Sequence, residues 1–402
     1  MTVQAARANL REAIFEARSV GLAGILLGVA ACWIALPPVA TRSVALPILF
    51  AFAGAACGAW AVRAGERRVG WGAVAAALLG LVGGVLATQA GEHNLEAVFV
   101  WSALLAATLR WATPLTFAAI GGLFSERSGV VNIGLEGMML MGAFWGIWAA
   151  DKLGNWILGL VAAAVAGGLL ALVHAVFSIH LRADQIVSGT AVNFLALGIT
   201  GYAFIDIYGD AGTPSGISEI PDIRLGYSDN TPLIGGIAHL NLMIWLSILL
   251  VVASFVFLFR TAWGLRLRSV GEHPRAADTV GINVYVVRYA AVILSGMLAA
   301  LGGAYLSMGQ VHSFNQNMTV GRGFIALAAL IFGKWRPFGA FGAALLFGFS
   351  TALAFQLSNV QAWESSSILF RTIPYVVTLV AVAGVIGRSI PPAAVGRPYK
   401  KQ

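Results

Sequence analysis

Residues 264–283 read GLRLRSVGEHPRAADTVGIN. They form the longest clearly water-facing, cationic stretch between two apolar runs. Arg266, Arg268 and Arg275 make it basic, and Glu272, His273 and Asp278 add polar points. Pro274 suits the first turn of a helix, where its missing N–H is not needed. Arg275 to Asp278 continue that turn, and Gly281 supplies a stop. The pattern predicts a short surface helix held between two membrane spans.

The rest of the chain agrees with that setting. Of 402 residues, 59% are hydrophobic and 10% charged, far from the roughly one-quarter charged composition of soluble domains. Glycine, at 48 residues, suits helices that pack closely in lipid. The expected class is an all-α polytopic membrane protein. The net charge of +8 marks loops and orientation rather than nucleic-acid binding. Cys32 and Cys57 lie inside apolar runs without metal-ligand spacing, so they read as small buried hydrophobes. The polar residues 1–19 carry arginines and suggest a short amphipathic surface helix rather than a signal peptide.

Apolar runs occupy about 20–40, 44–62, 70–88, 97–124, 129–150, 155–181, 185–207, 241–260, 284–308, 320–335, 337–357 and 368–387. A span needs about 20 apolar residues. The tenth run is interrupted by Gly333-Lys334-Trp335-Arg336-Pro337 and reads as a half-helix. The count is therefore eleven to twelve spans. With the N-terminus inside, 19 of the 25 Lys and Arg residues fall on the cytoplasmic side. Arg42, Lys152, Arg224, Arg322 and Arg371 fall outside, and Arg110 lies within a span. That bias puts both termini and segment 261–283 in the cytoplasm.

Composition shifts near residue 92. Residues 1–92 hold a tail and three Ala/Gly/Leu-rich spans, whereas the spans of 93–402 carry Asn, Gln, Ser, Thr and Glu. The first part reads as an appended packing module and the second as the working unit. Residues 118–142 and 326–348 each run apolar, charged turn, then Gly-rich helix, as internal repeats of transporters do. The longest outer loop, about 208–240, is irregular and either docks an external partner or merely connects spans.

Residues 125–142 read SERSGVVNIGLEGMMLMG. Asn132 and Glu136 stand four apart on one helical face. A carboxylate this deep faces either a wet substrate path or a partner such as Arg127, Arg110 or backbone. Gln185, Ser188, Thr190, Asn193 and Phe194 offer amides beside an aromatic face, which suits a sugar-and-base ligand or, equally, hydrogen bonds between helices. Gln310, His312, Asn315, Gln316, Asn317 and Thr319 form a polar cluster that shapes an entry vestibule or a wet loop. No catalytic constellation appears: Gly333-Lys334 lacks the spacing of a phosphate-cradling loop.

Four stretches, SERSGVVNIGLEGMMLMGAF, LRADQIVSGTAVNFLALG, GLRLRSVGEHPRAADTVGINVYVVRY and GFIALAALIFGKWRPFGAFGAALLFG, occur in order. Together they resemble ABC-importer permeases of the branched-chain amino acid and simple-sugar class, over about 95–400. Within that class they look most like bacterial nucleoside-import permeases that work with a basic-membrane-protein-type lipoprotein. The resemblance implies a type-II-importer-like core with three extra N-terminal helices in a bacterial inner membrane. It implies a non-enzymatic subunit that pairs with a second related permease, an external binding lipoprotein and ATP-binding cassette proteins. ATP and Mg would be bound by those cassettes. Gly271, Glu272, His273, Pro274, Ala277 and Asp278 match the family's coupling region, and Asn132, Glu136, Asn193 and Phe194 are the expected substrate-path residues. Alternative solutes are a ribose-like sugar or a branched-chain amino acid. A stand-alone secondary transporter fits less well, because the charged elbow would then have no purpose.

Overall fold

The computed structural model describes residues 3–35, 43–89, 101–224, 235–358, 370, 372–380 and 389–401. The helices are α1 (Val3–Trp33), α2 (Ala45–Arg63), α3 (Arg67–Gln89), α4 (Trp101–Arg127) and α5 (Leu135–Leu153). They continue with α6 (Trp156–Ala175), α7 (Gln185–Tyr208), α8 (Leu242–Arg260), α9 (Ala262–Glu272), α10 (Pro274–Thr279) and α11 (Val284–Ala304). The last are α12 (Arg322–Phe332), α13 (Pro337–Ser358) and α14 (Ile373–Val380). Strands β1 (Asp222–Arg224) and β2 (His239–Asn241) pair antiparallel with Ile223 opposite Leu240. Among the described residues, nine helices are long and apolar enough to cross a membrane. The chain is an all-α polytopic membrane protein.

Most apolar runs of the sequence become one helix each. The run at 129–150 begins non-helically and becomes α5 only at Leu135, and the tenth run is the 11-residue α12. Half of the 368–387 run and part of the 208–240 loop lie outside the described residues. The polar tail from Val3 is not a separate surface helix: it continues without a break into the 31-residue α1. No proline stands between residues 3 and 33 to break it.

The chain forms two compact units, residues 1–105 with 350–388 and residues 106–349 with 389–402. In the first, α1 and α3 run parallel with α2 antiparallel to both. A Cβ at Gly28 would meet the Ala76–Ala77 backbone, and Gly54 lies against Gly24. The three helices touch backbone to backbone because small residues line every seam.

In the second unit α11 is central. Gly302 meets the Pro114 backbone of α4, Gly303 meets Met139 of α5, and Gly296 meets Gly167 of α6. Asn132 bonds to Ser295, Ala143 to Ser307, and Gly146 lies against Ala304 and Met308, so α5 and α11 run in the same direction. A π-helical turn, Tyr305–Val311, extends α11. Asn132 bonds to Ser295, which is 11 residues along α11. At ~1.5 Å per residue that is about 17 Å from the start, near the middle of a roughly 30 Å apolar core.

From Val311 the chain turns back through 312–321 and starts α12 at the level of Glu136. Arg322, expected in an outer loop, therefore sits at depth. The reason is that α12 is too short to reach the outer surface, so the loop before it must descend.

Leucine at Gly303 would drive the α5 and α11 backbones apart. Gly303→Leu should lower the melting temperature in detergent by at least 10 °C or abolish folded yield. Gly342→Ala, at a glycine with nothing within 4 Å, should leave it unchanged or slightly raised.

Candidate functional site

Two non-helical segments, 128–134 and 312–321, lead from opposite ends of the bundle to its middle, at the level of Asn132 and Glu136. Their backbone groups need partners inside the protein. Glu136 supplies two of them, accepting from the Gly321 N–H at 2.7 Å and the Gly323 N–H at 2.6 Å. It is thus a remote N-cap for α12, favoured by both charge-assisted bonding and the helix dipole. Asn132 is fully buried; its Oδ1 accepts from the Gly134 N–H and its Nδ2 donates to Ser295 Oγ at 2.9 Å. Asn193 reaches from α7, accepting from the Gly137 N–H at 2.7 Å and donating to the Ile133 carbonyl. Gln185 accepts from the Val131 N–H, and His174 contacts the Val131 carbonyl at 3.0 Å and Ser188 Oγ at 3.1 Å. Asn132, Glu136 and Asn193 are brought together, and the bonds they make are to the chain itself. Phe194, 70% exposed, points away from them, as its place next to inward-facing Asn193 on a helix requires. Arg110 is also exposed and joins no part of this cluster.

The charged elbow is α9 followed by α10. Thr261 caps α9 by accepting from the Gly264 N–H, and Pro274 opens α10 as the sequence reading expects. Ala277 is buried, whereas Glu272, His273 and Arg275 are exposed. Gly271 lies against the Arg127 carbonyl, where no side chain fits. Arg127 ties three elements. Its Nε and Nη2 donate to the Trp335 carbonyl at 3.0 and 2.7 Å, and its Nη1 stands 4.0 Å from Glu272. Its guanidinium also lies 5.8 Å from the Phe259 ring centre. The Trp335 indole N–H in turn donates to Glu126. The turn that these residues hold carries Lys334 and Trp335 at positive φ.

A strap formed by residues 389–401 crosses the same elbow. Ala394 N–H donates to the Gly271 carbonyl, Ala393 N–H to Glu272, and Gly396 N–H to the Gly129 carbonyl. Tyr399 donates to Asp278 at 2.7 Å and packs edge-on to Tyr285. Burial and the Asp278 carboxylate push its phenol up to about 12, so it is a donor at neutral pH. Arg288, 1% exposed, donates to the Ser128 and Arg397 carbonyls. Sequence reasoning missed Glu126, Trp335, Arg288 and the strap. The one signal was a basic residue inside the apolar run that opens α11.

At the outer end, His312 stands 3.4 Å from Glu219, and the Phe314 N–H donates to Thr213. These contacts join the 208–224 loop to the descending loop.

Glu136→Gln should cost about 2 kcal/mol of unfolding free energy, and Glu136→Ala about 3 kcal/mol, from lost charge-assisted bonds to buried N–H groups. Denaturant unfolding of the purified chain checks both values and their order.

Residues 104–382 match the family described as "Branched-chain amino acid transport system / permease component". The chain is 44% identical over 318 residues to the guanosine ABC transporter permease protein NupQ of Bacillus subtilis, covering 76% of this chain and 99% of that one. It is 41% identical over 310 residues to the nucleoside ABC transporter permease protein NupC of Lactococcus lactis, covering 74% and 96%. It is 38% identical over 263 residues to the putative glucose ABC transporter permease protein TsgC13 of Haloferax volcanii, covering 64% and 78%. No solved structure matches the chain. A helical membrane chain with a stapled half-helix and a charged elbow, identical at two-fifths of the positions it aligns with whole permeases, belongs to this family of ABC-transporter permease subunits.

Proposed function

We propose that the chain is the membrane subunit that passes nucleosides inward in an ATP-driven importer. The observation that carries this is 44% identity over 99% of a protein named for guanosine transport. Transport proceeds by alternating access, and this subunit does no bond chemistry.

The reading assigns each face a partner. ATP-binding cassettes, which hold ATP and Mg, press on the elbow at Glu272, His273, Pro274 and the turn through Asp278. Gly271 and Ala277 seat that elbow against the bundle, and the strap keeps it there. Movement then reaches α12 through Arg127, whose side chain contacts both Glu272 and the Trp335 carbonyl. A binding lipoprotein delivers solute to the outer face where residues 213–219 meet 312–314. A second permease completes the pathway, with the apolar face of α7 that includes Phe194 turned to it or to lipid. Asn132, Glu136 and Asn193 act on the pathway by fixing its broken helices. The subunit sits in the bacterial cell membrane with both termini cytoplasmic, as the Lys and Arg distribution favours. Residues 1–92 form an appended packing module. A second reading, a sugar permease, is favoured by the likeness to TsgC13.

Uptake of labelled guanosine by cells expressing the whole importer should fall to background with excess unlabelled purine nucleoside. Excess ribose, glucose or leucine should leave it unchanged, and competition by a sugar instead would favour the second reading. Glu272→Ala and Pro274→Ala should assemble normally yet lose at least tenfold in uptake per ATP hydrolysed, measured in reconstituted vesicles. Wild-type coupling in both variants would exclude the elbow as the receiver of the push.

A further inference from the structure

A cavity of about 310 Å³ opens in the second unit between α4, the π-helical turn that ends α11 and the descending loop. Its wall includes Trp111, Gln310, Asn315, Asn317, Val320 and Arg322. The volume falls at the lower end of the roughly 300–1,000 Å³ range of small-molecule sites. It lies on the outer side of the Glu136 staple, because Arg322 opens α12 there and α4 passes the end of α11 at this height.

The chemistry of the wall selects a ligand class. No carboxylate lines the cavity. Arg322, its one cation, is already engaged: Nη1 donates to the Met318 and Thr319 carbonyls, and the guanidinium lies 5.3 Å from the Trp111 ring centre. A zwitterionic amino acid would find no anion for its ammonium group, and burying that charge unpaired is costly. Amides bond hydroxyls and the edges of heteroaromatic rings equally well, and an indole wall favours a flat π-system. Gln310, in the cavity wall, has a buried Oε1 that accepts no hydrogen bond from the chain, an acceptor left in want of a donor. The loop also holds Asn317 and Val320 at φ 56° and 43°. A β-branched residue in that region is strained, and such strain gathers at ligand sites.

The geometry points to this cavity as the outer nucleoside subsite of the permease, with the base against Trp111 and the amides of Gln310, Asn315 and Asn317 on the base edge and ribose hydroxyls. The assignment rests on the nucleoside reading of function. It adds where the solute first enters the membrane subunit.

The test uses the whole importer in intact cells, with Cys32→Ala, Cys57→Ala and Gln316→Cys in this chain. Gln316 is exposed and lines the same cavity. Guanosine should slow labelling by a small impermeant thiol reagent at least fivefold, whereas glucose and leucine should not. A second arm reads transport: Trp111→Ala should raise the KM for guanosine uptake at least tenfold, and Trp111→Phe less than threefold. Unchanged labelling, or an unchanged KM for Trp111→Ala, in cells that import guanosine would overturn the subsite and leave the nucleoside function standing. Import of glucose or leucine but not guanosine would overturn both.

Discussion

Backbone polar groups have no water to bond in a bilayer, and everything unusual about the second unit follows from that. Two stretches of chain leave the helical conformation at depth. Each survives because side chains do what helical hydrogen bonds do elsewhere. Glu136 serves two N–H groups at the start of α12, and Asn193 serves both the amide of Gly137 and the carbonyl of Ile133. The polar residues that look most like substrate ligands are therefore the ones that make an interrupted pair of helices possible.

The half-helix α12 is held at both ends by different parts of the bundle. Its start is tied to α5 through Glu136, and the turn after it is tied to α4 through Glu126 and Arg127. Arg127 also faces Glu272 in the elbow. A displacement of the elbow thus meets a chain of direct contacts that ends at the middle of the membrane. Small residues such as Gly271 and Gly129 bring the backbones near enough for these contacts to form.

Much of this was legible in the residues. The apolar runs located the helices, Pro274 and Gly281 bracketed α10, and the Gly333–Pro337 interruption marked α12 as short. Asn132 and Glu136 announced themselves as polar groups in lipid, yet periodicity placed them together on one helix. In fact Asn132 lies before α5 begins, because a run of apolar residues does not record whether its backbone is helical. The descent of 312–321 was hidden for a similar reason: a polar loop at the surface and a polar loop lining a cavity have the same composition. The strap escaped because Ala393, Ala394 and Gly396 bond through the main chain, which sequence does not advertise.

The glycine seams around α11 carry a mechanical consequence. Interlocked side chains give a helix pair a preferred register, and sliding one past the other means lifting knobs out of holes. Where Gly296 faces Gly167 and Gly303 faces the main chain of Met139, there are few knobs to lift. Such a joint resists separation, since contact is close, but offers little friction along its length. The centre of this unit is built like a bearing rather than a bolt.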